Sequence, residues 1–225
     1  MALLLKMIEV LYLSNTKNVV VLASGGGTNL QALIDAQNNG QLGCGKISCV
    51  IASKADAYAL TRAEQNGIKT RTLIRKDYDD VVKYSEDMRD ILLEENADVI
   101  VYAGFMTILD KCVCDAFPNK MVNVHPALIP SFCGKGFYGL HVHEEALKKG
   151  VKVSGATVHF VTAECDGGPI ILQKAVEVMD DDTPETLQRR IMEQAEWKIL
   201  PEAVKLLCDG KITVSNGKTF IKQEN

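Results

Sequence analysis

Residues 18–40, "NVVVLASGGGTNLQALIDAQNNG", carry the pattern that decides the fold. A β-branched, apolar run is followed by a glycine turn, and Leu30, Leu33 and Ile34 then recur at helical spacing. Further apolar strands and helices alternate up to about residue 103. Strands that are apolar throughout and separated by helices imply a parallel sheet covered on both faces. The sequence therefore predicts an α/β fold with a doubly wound, Rossmann-like, mostly parallel sheet and helices on both faces.

The pattern changes after residue 126. The segments "SGATVHFV" and "PIILQKAVEV" read as alternating strands joined through "TAECDGG", which indicates an antiparallel pair. A long helix, about Pro184 to Cys208, follows, and then a hairpin with an Asn-Gly turn. The predicted fold thus ends in antiparallel strands and a long helix, without repeats or a linker.

Composition and charge exclude several classes of protein. The 225 residues carry a formal charge of −4 and a sequence pI of about 5.6, without a Lys/Arg cluster, so we expect no nucleic acid and no membrane partner. The apolar residues 1–17 are interrupted by Lys6 and Glu9 and lack signal-peptide features, which predicts a cytoplasmic location. Seven scattered cysteines without C-x-x-C indicate reduced thiols. His141 and His143 lack a third ligand at suitable spacing, so no metal is expected.

The turn "SGGGTNL", Ser24 to Leu30, joins the first strand to the first helix. Free backbone N–H groups and the helix dipole at such a turn favour a phosphate. The turn is neither a dinucleotide fingerprint, because Leu30 stands at the third glycine, nor a P-loop, because Gly-Lys-Ser/Thr is absent. The alternative is a tight turn with Thr28 as the helix cap.

The stretch "VNVHPALIPSF", residues 122–132, places an amide and an imidazole in a buried strand. Pro126 favours extended geometry at His125, so Asn123 and His125 share one face near the carboxyl end of the strand, where ligands of open α/β sheets bind. The amide can donate to an oxyanion and the imidazole can move protons; a satisfied core histidine is the alternative. Asp166, in "ECDGGP", is either an ordinary turn residue or a carboxylate that orients His125 and raises its pKa.

The order and spacing of five segments resemble a known family. The segments are "VVVLASGGGTNLQALIDA", "DVIVYAGFMTIL", "VNVHPALIPSF", "GLHVHEEAL" and "GATVHFVTAECDGGPIILQ". Together they are similar to the phosphoribosylglycinamide formyltransferases, folate-dependent enzymes of purine synthesis. The resemblance implies transfer of a formyl group from 10-formyltetrahydrofolate to the amine of glycinamide ribonucleotide. Both partners are small molecules, and a homodimer is compatible with the sequence.

The resemblance also implies roles for particular residues. The implied catalytic set is Asn123, His125 and Asp166. The implied ribonucleotide contacts are Gly27, Thr28 and Asn29 at the phosphate and Glu196 near the amine. The implied folate contacts are Met106, Thr107, Ile108, Leu109, Asn123 and the loop that begins at Thr162. Thr107 stands where many relatives carry arginine, which questions a side-chain contact there. On bare sequence Glu196 would be a solvated helix residue.

Three alternatives remain open. Formyltetrahydrofolate hydrolase and other folate-dependent formyltransferases share the histidine motif, and a non-catalytic nucleotide-binding module would use only the glycine turn. For the favoured interpretation we expect a single formyltransferase domain over residues 18–225. Its phosphate-binding half would span about 18–120 and its catalytic half about 121–225. Residues 1–17 would form an N-terminal extension of undefined role.

Overall fold

A computed structural model describes residues 16–222, so all but the last two residues of the expected N-terminal extension lie outside it. The strands are β1 (Lys17–Ala23), β2 (Gly45–Ala52), β3 (Lys69–Thr72), β4 (Val99–Tyr102), β5 (Met121–His125), β6 (Val153–Phe160), β7 (Ile170–Glu177), β8 (Ile212–Ser215) and β9 (Lys218–Ile221). The α-helices are α1 (Thr28–Asn38), α2 (Tyr58–Gln65), α3 (Val81–Glu94), α4 (Lys111–Ala116), α5 (His141–Lys148), α6 (Pro184–Ile191) and α7 (Trp197–Cys208). A short 3-10 helix spans Arg75–Asp77, and a π-helical segment, Met192–Glu196, joins α6 to α7.

One seven-stranded sheet forms the centre of the described residues, in the order β3-β2-β1-β4-β5-β6-β7. The first five strands in this order, β3, β2, β1, β4 and β5, are parallel to one another. Strand β6 pairs antiparallel with β5, and β7 pairs antiparallel with β6. The predicted fold class is therefore confirmed, including the antiparallel C-terminal strands. Because β1, β4 and β5 end at the same edge, the loops that follow them meet there.

Helices cover both faces of the sheet, as the continuously apolar strands predict. Along β1, Val19 and Val21 face one core, which α1, α2, α6 and α7 complete. Val20 and Leu22 face the other core, which α3 and α4 complete. Each of these four side chains is fully buried, which contributes about 1.5–3 kcal/mol apiece. The two cores fix β1, and so the position of the glycine turn that follows it.

The predicted long C-terminal helix, about Pro184 to Cys208, is present, and it contains a π-helical segment between α6 and α7. Thr183 caps α6 through a reciprocal pair of hydrogen bonds with Thr186. The π-helical segment then changes the hydrogen-bond pattern before α7 begins. Such turns recur at functional sites because they redirect side chains. Here the segment ends in Glu196, whose side chain is buried.

The predicted C-terminal hairpin is present as β8 and β9. Asn216 and Gly217 both have positive φ, 50° and 72°, as a two-residue type I′ turn requires. Thr219 Oγ1 donates to the carbonyl of Ile170, which fastens the hairpin to β7. In residues 16–222 no helix is both long and apolar enough to cross a membrane.

Candidate active site

A cleft of about 740 Å³ lies at the carboxyl ends of β1, β4 and β5. It brings together nearly all of the sequence-predicted site residues, which come from distant parts of the chain. Those lining it are Thr28, Asn29, Met106, Thr107, Ile108, Leu109, Asn123, His125, Thr162, Asp166 and Glu196. Gly27 lies in the turn immediately before Thr28. A more open depression of about 790 Å³ between α1 and α7 holds none of the catalytic candidates.

The turn between β1 and α1 is capped by Gly27, not by Thr28. Gly27 adopts φ 70°, and a Cβ there would lie 2.8 Å from the Cα of Ala59, so the position requires glycine. Thr28 is instead the first helical residue, and no side chain caps this helix. The first N–H groups of a helix have no intrahelical partner. They are available to an anion, which favours the phosphate interpretation over a merely structural turn.

His125 ends β5 and is almost fully buried. Its Nε2–H donates to the carbonyl of Phe132 at 2.8 Å, and Nδ1 lies 3.6 Å from Asp166 Oδ2. Burial lowers the pKa of His125, while Asp166 and the Phe132 carbonyl act in the opposite direction without overcoming burial. Asp166 thus acts in the direction that the sequence predicts, but burial has the larger effect, and the lowered pKa favours the neutral imidazole. The neutral ring carries its hydrogen on Nε2 and its lone pair on Nδ1.

Asp166 belongs both to a turn and to the polar cluster around His125. Its φ is 54°, a left-handed conformation that Asp tolerates better than most residues. Gly134 N–H donates to Oδ2 at 2.8 Å, and His159 Nε2 lies 3.5 Å from Oδ1. Burial alone would raise the pKa of Asp166, but the contacts with His159, Gly134 and His125 lower it to about 2. The carboxylate is thus ionised beside a neutral imidazole.

His159, on the neighbouring strand β6, holds the side chain of Asn123 in place. His159 donates from Nδ1 to the carbonyl of Phe160 at 2.8 Å, so its Nε2 can accept a hydrogen bond. Asn123 Nδ2 lies 3.2 Å from this Nε2. One amide N–H is used to orient the side chain, and the second remains for a ligand in the cleft.

A second buried polar pair lies at the other end of the cleft. Asn29 Nδ2 donates to Glu196 Oε2 at 2.7 Å, although the two residues are 167 positions apart. Asn29 Oδ1 is buried without a partner among residues 16–222. Burial raises the pKa of Glu196 to about 7, and the single bond from Asn29 only partly opposes this. The pair offers a carboxyl and an amide oxygen to a donor group of a ligand.

The loop after β4 is anchored by two serines that the sequence analysis missed. Ser24 Oγ accepts from Met106 N–H at 3.0 Å, and Ser85 Oγ accepts from Asp110 N–H at 2.8 Å. Met106 and Ile108 are 52% and 57% exposed between these anchors. The Thr107 side chain lies beside the Tyr84 hydroxyl and is partly buried. The main chain of this loop is therefore held in place largely by its hydrogen bonds to Ser24 and Ser85.

The two histidines of α5 have different environments. His141 is exposed and lies 3.2 Å from Glu144, whereas His143 is fully buried with neither ring nitrogen bonded within residues 16–222. Burial lowers the pKa of His143 to about 4. In the same range, no three His, Cys, Asp or Glu residues are grouped to hold a metal ion. All seven cysteines lie in this range, and none of them forms a disulfide within it.

The chain is similar to known proteins over a range that includes the residues of this cleft. A family model described as "Formyl transferase" matches residues 17–204. The phosphoribosylglycinamide formyltransferase of Haemophilus influenzae is 37% identical over 205 residues, 91% of this chain and 93% of that protein. The trifunctional purine biosynthetic protein adenosine-3 of Homo sapiens is 42% identical over 208 residues, 92% of this chain and 20% of that protein. The crystal structure of glycinamide ribonucleotide transformylase 1 from Symbiobacterium toebii gives a TM-score of 0.87 at 38% identity and covers 93% of this chain and 95% of that chain.

Proposed function

The chain belongs to the formyl transferase family, among the phosphoribosylglycinamide formyltransferases, and from this premise we propose how its cleft works. It transfers a formyl group from 10-formyltetrahydrofolate to the amine of glycinamide ribonucleotide. The observation that carries the proposal is the cluster at the end of β5. There a free Asn123 N–H, a neutral His125 and an ionised Asp166 lie side by side.

The ribonucleotide occupies the end of the cleft formed by α1 and the π-helical segment. Its phosphate lies against the free N–H groups at Gly27, Thr28 and Asn29, where the helix dipole favours negative charge. Its amine lies between the Asn29–Glu196 pair and the catalytic cluster. A donor group placed there satisfies the unpartnered Asn29 Oδ1 and favours the ionised form of Glu196.

The folate lies between the loop after β4 and the loop that begins at Thr162. Both loops leave the sheet at the edge where β5 ends, and both line the cleft. The exposed apolar side chains of Met106 and Ile108 can close on a flat ring system. Backbone groups of the serine-anchored loop supply the polar contacts, which is consistent with threonine at position 107.

The chemistry needs an oxyanion donor and a proton carrier. As the amine attacks the formyl carbon, charge develops on the formyl oxygen, and Asn123 N–H stabilises it by a few kcal/mol. His125 accepts the proton of the amine at Nδ1, and the adjacent Asp166 carboxylate stabilises the imidazolium that forms. The proton then passes to the departing folate nitrogen. Asp166 needs no proton of its own, because its pKa of about 2 keeps it ionised throughout.

The test is a transfer assay with 10-formyltetrahydrofolate, run with and without glycinamide ribonucleotide. We expect tetrahydrofolate to be released only when the ribonucleotide is present, together with one equivalent of formylated product. His125→Ala should abolish most of the rate, while the matched variant His141→Ala, at an exposed histidine outside the cleft lining, should retain it. Release of tetrahydrofolate without the ribonucleotide would instead identify a formyltetrahydrofolate hydrolase. Ribonucleotide binding without any turnover would identify a binding module.

A further inference from the structure

Arg62, on α2, lies outside the catalytic cleft and has no part in the proposed chemistry. It lines the open depression between α1 and α7. Its Nε–H donates to the carbonyl of Gly26 at 2.8 Å, and Nη1 donates to Gln31 Oε1 at 2.9 Å. The guanidinium carbon also lies 5.0 Å from the centroid of the Tyr58 ring. These three contacts hold the guanidinium against the glycine turn that follows β1.

Helix α2 holds two successive carbonyls of this turn. Ala59 N–H donates to the carbonyl of Gly25 at 3.1 Å, and Arg62 donates to that of Gly26. The peptides are trans, so each carbonyl points opposite to the N–H of the residue that follows it. The N–H groups of Gly26 and Gly27 therefore point away from α2, and neither has a hydrogen-bond partner among the residues that the structure describes. Arg62 thus sets the direction of the Gly27 N–H.

The direction of this N–H matters because Gly27 begins a concave arrangement of main-chain donors. Gly27 is left-handed, with φ 70° and ψ 33°, and Thr28 is helical. Consecutive left- and right-handed residues turn three successive N–H groups toward one point, which forms an anion-binding nest. Here the three groups belong to Gly27, Thr28 and Asn29, to which the proposed function assigns the phosphate. The first of the three is the one that Arg62 orients.

The charge of Arg62 acts in the same direction as its geometry. Over the described part of the chain, no carboxylate forms an ion pair with this guanidinium. Gln31, which accepts from it, donates in turn to Asp35 at 2.9 Å, so the amide is held with its oxygen toward Arg62. A cationic donor at the Gly26 carbonyl polarises that peptide, which makes the Gly27 N–H a stronger donor. The planar fork of arginine reaches both acceptors at once, unlike the single ammonium of lysine.

We propose that Arg62 is a positioning residue for the phosphate of the ribonucleotide. It contacts no ligand atom, but it orients and polarises the peptide that presents the Gly27 N–H to the phosphate. This inference rests on the proposed function, because it takes the phosphate to lie at the N-terminus of α1. It predicts an effect on the binding of one chemical group, the phosphate, and none on the formyl transfer that follows.

The experiment replaces Arg62 by methionine, which keeps most of the length of the side chain but removes its charge and its donors. Two substrates are compared, glycinamide ribonucleotide and glycinamide riboside, which lacks the phosphate. For the ribonucleotide we expect KM to rise about 10- to 30-fold in Arg62→Met, with kcat within about 2-fold of wild type. This is the pattern for an interaction made equally in the ground state and the transition state. For the riboside, kcat/KM should be the same in wild type and variant.

Two further variants separate the positioning role from overall stability. Arg62→Lys keeps the charge but reaches one acceptor, so the KM for the ribonucleotide should rise only about 3- to 5-fold. Arg89→Met is the matched control, since Arg89 pairs with Asp90 on α3 and lines neither the cleft nor the depression. It should leave the kinetics of both substrates unchanged. Titration with tetrahydrofolate should give the wild-type affinity in all three variants.

A ribonucleotide KM that did not change in Arg62→Met would overturn the inference while the proposed function stood. Equal losses with the ribonucleotide and the riboside would likewise overturn it, because Arg62 would then support the fold and not the phosphate. If Arg62→Met did not fold, Arg62→Lys would carry the test, and a wild-type KM for the ribonucleotide would overturn the inference. If the wild type formylated neither substrate, both proposals would fall.

Discussion

Two carboxyl groups line the same cleft and have opposite pKa shifts. The pKa of Asp166 is lowered to about 2, whereas that of Glu196 is raised to about 7. Burial disfavours the ionised form of both. Asp166 accepts a hydrogen bond from the Gly134 main-chain N–H and lies within 3.6 Å of two imidazoles, whereas within residues 16–222 Glu196 has a hydrogen bond from the amide of Asn29 alone. At Asp166 the favourable contacts outweigh the cost of burial, and at Glu196 the contact with Asn29 does not.

The difference gives the two carboxyl groups different properties. The charge of Asp166 is constant near neutral pH, whereas the charge of Glu196 depends on pH and on the bound ligand. With a pKa of about 2, Asp166 is an anion near neutral pH, so it can stabilise a transient cation beside it. Glu196 titrates near neutrality, so a ligand with a donor or cationic group can shift it to the ionised form. Environments that separate two carboxyl pKa values are a recurring way to assign them different tasks.

Asp166→Asn should have the largest effect on this contrast, because it removes the fixed charge. We expect the single-turnover rate to fall by about 10²- to 10⁴-fold. His125 must be neutral to accept a proton, so activity is present above its pKa and is lost as pH falls through it. Asp166 is one of the groups that raise this pKa, so in Asp166→Asn the acid limb should move to lower pH.

The control for that prediction is the double variant. His125→Ala should be at least as damaging as Asp166→Asn, and combining the two should add little, since they act as one unit. If the acid limb of the pH–rate profile did not move in Asp166→Asn, Asp166 would have only a structural role in its turn. The same conclusion would follow if the rate losses of the two single variants multiplied in the double variant.

Glu196→Gln should have an intermediate effect, with opposite signs for binding and stability. Ribonucleotide affinity should fall about 10- to 100-fold, as expected for loss of a hydrogen bond to a charged group. The folded-state pKa of about 7 exceeds the ordinary 4.5, so wild-type stability falls as pH rises from about 4.5 to about 7. Above pH 7 the variant should be more stable by at most about 3 kcal/mol, and below pH 4.5 the two should be equal.

Urea unfolding at pH 4 and pH 8, with ribonucleotide titrations at pH 8, measures both effects. If the difference in free energy of unfolding between Glu196→Gln and the wild type were the same at pH 4 and pH 8, Glu196 would not titrate as a buried carboxyl. Asn29→Ala supplies the comparison, since removal of this donor should raise the Glu196 pKa further.

Thr107→Ala should have the smallest effect, within about 2-fold on folate affinity. Its side chain faces Tyr84, and the loop is held through main-chain N–H groups by Ser24 and Ser85. Ser24→Ala should therefore be the more damaging of the two substitutions, since it removes the acceptor of Met106 N–H. Equilibrium titration with tetrahydrofolate distinguishes them. Complete loss of binding in Thr107→Ala would show that the hydroxyl itself is a ligand.

Local patterns were sufficient for much of the fold and for candidate site residues. The period of two placed Asn123 and His125 on one face, and the glycine run indicated a candidate anion site after β1. The contact between Asn29 and Glu196 has no local signature, because only the completed sheet brings α1 to the π-helical segment. The resemblance, not the bare sequence, pointed to Glu196.

The sequence also does not predict which main-chain groups contact the site or which of several opposing effects decides a pKa. The carbonyl of Phe132 and the N–H of Gly134 contact His125 and Asp166, and any residue type can supply such main-chain groups. The pKa of His125 depends on a balance between burial and an adjacent carboxylate, and residue spacing does not determine which one prevails. The same limit applies to the helix cap, which Gly27 provides in place of Thr28.

The π-helical segment also constrains the number of residues between α6 and α7. Each residue turns an α-helix by about 100°, so deleting one residue between α6 and α7 would rotate one helix against the other. Either the inward direction of Glu196 or the buried contacts of Leu187 and Leu200 could then be kept, but not both. Single-residue insertions and deletions, which surface loops absorb readily, are therefore excluded from this helix, and homologous active enzymes should align across it without a gap.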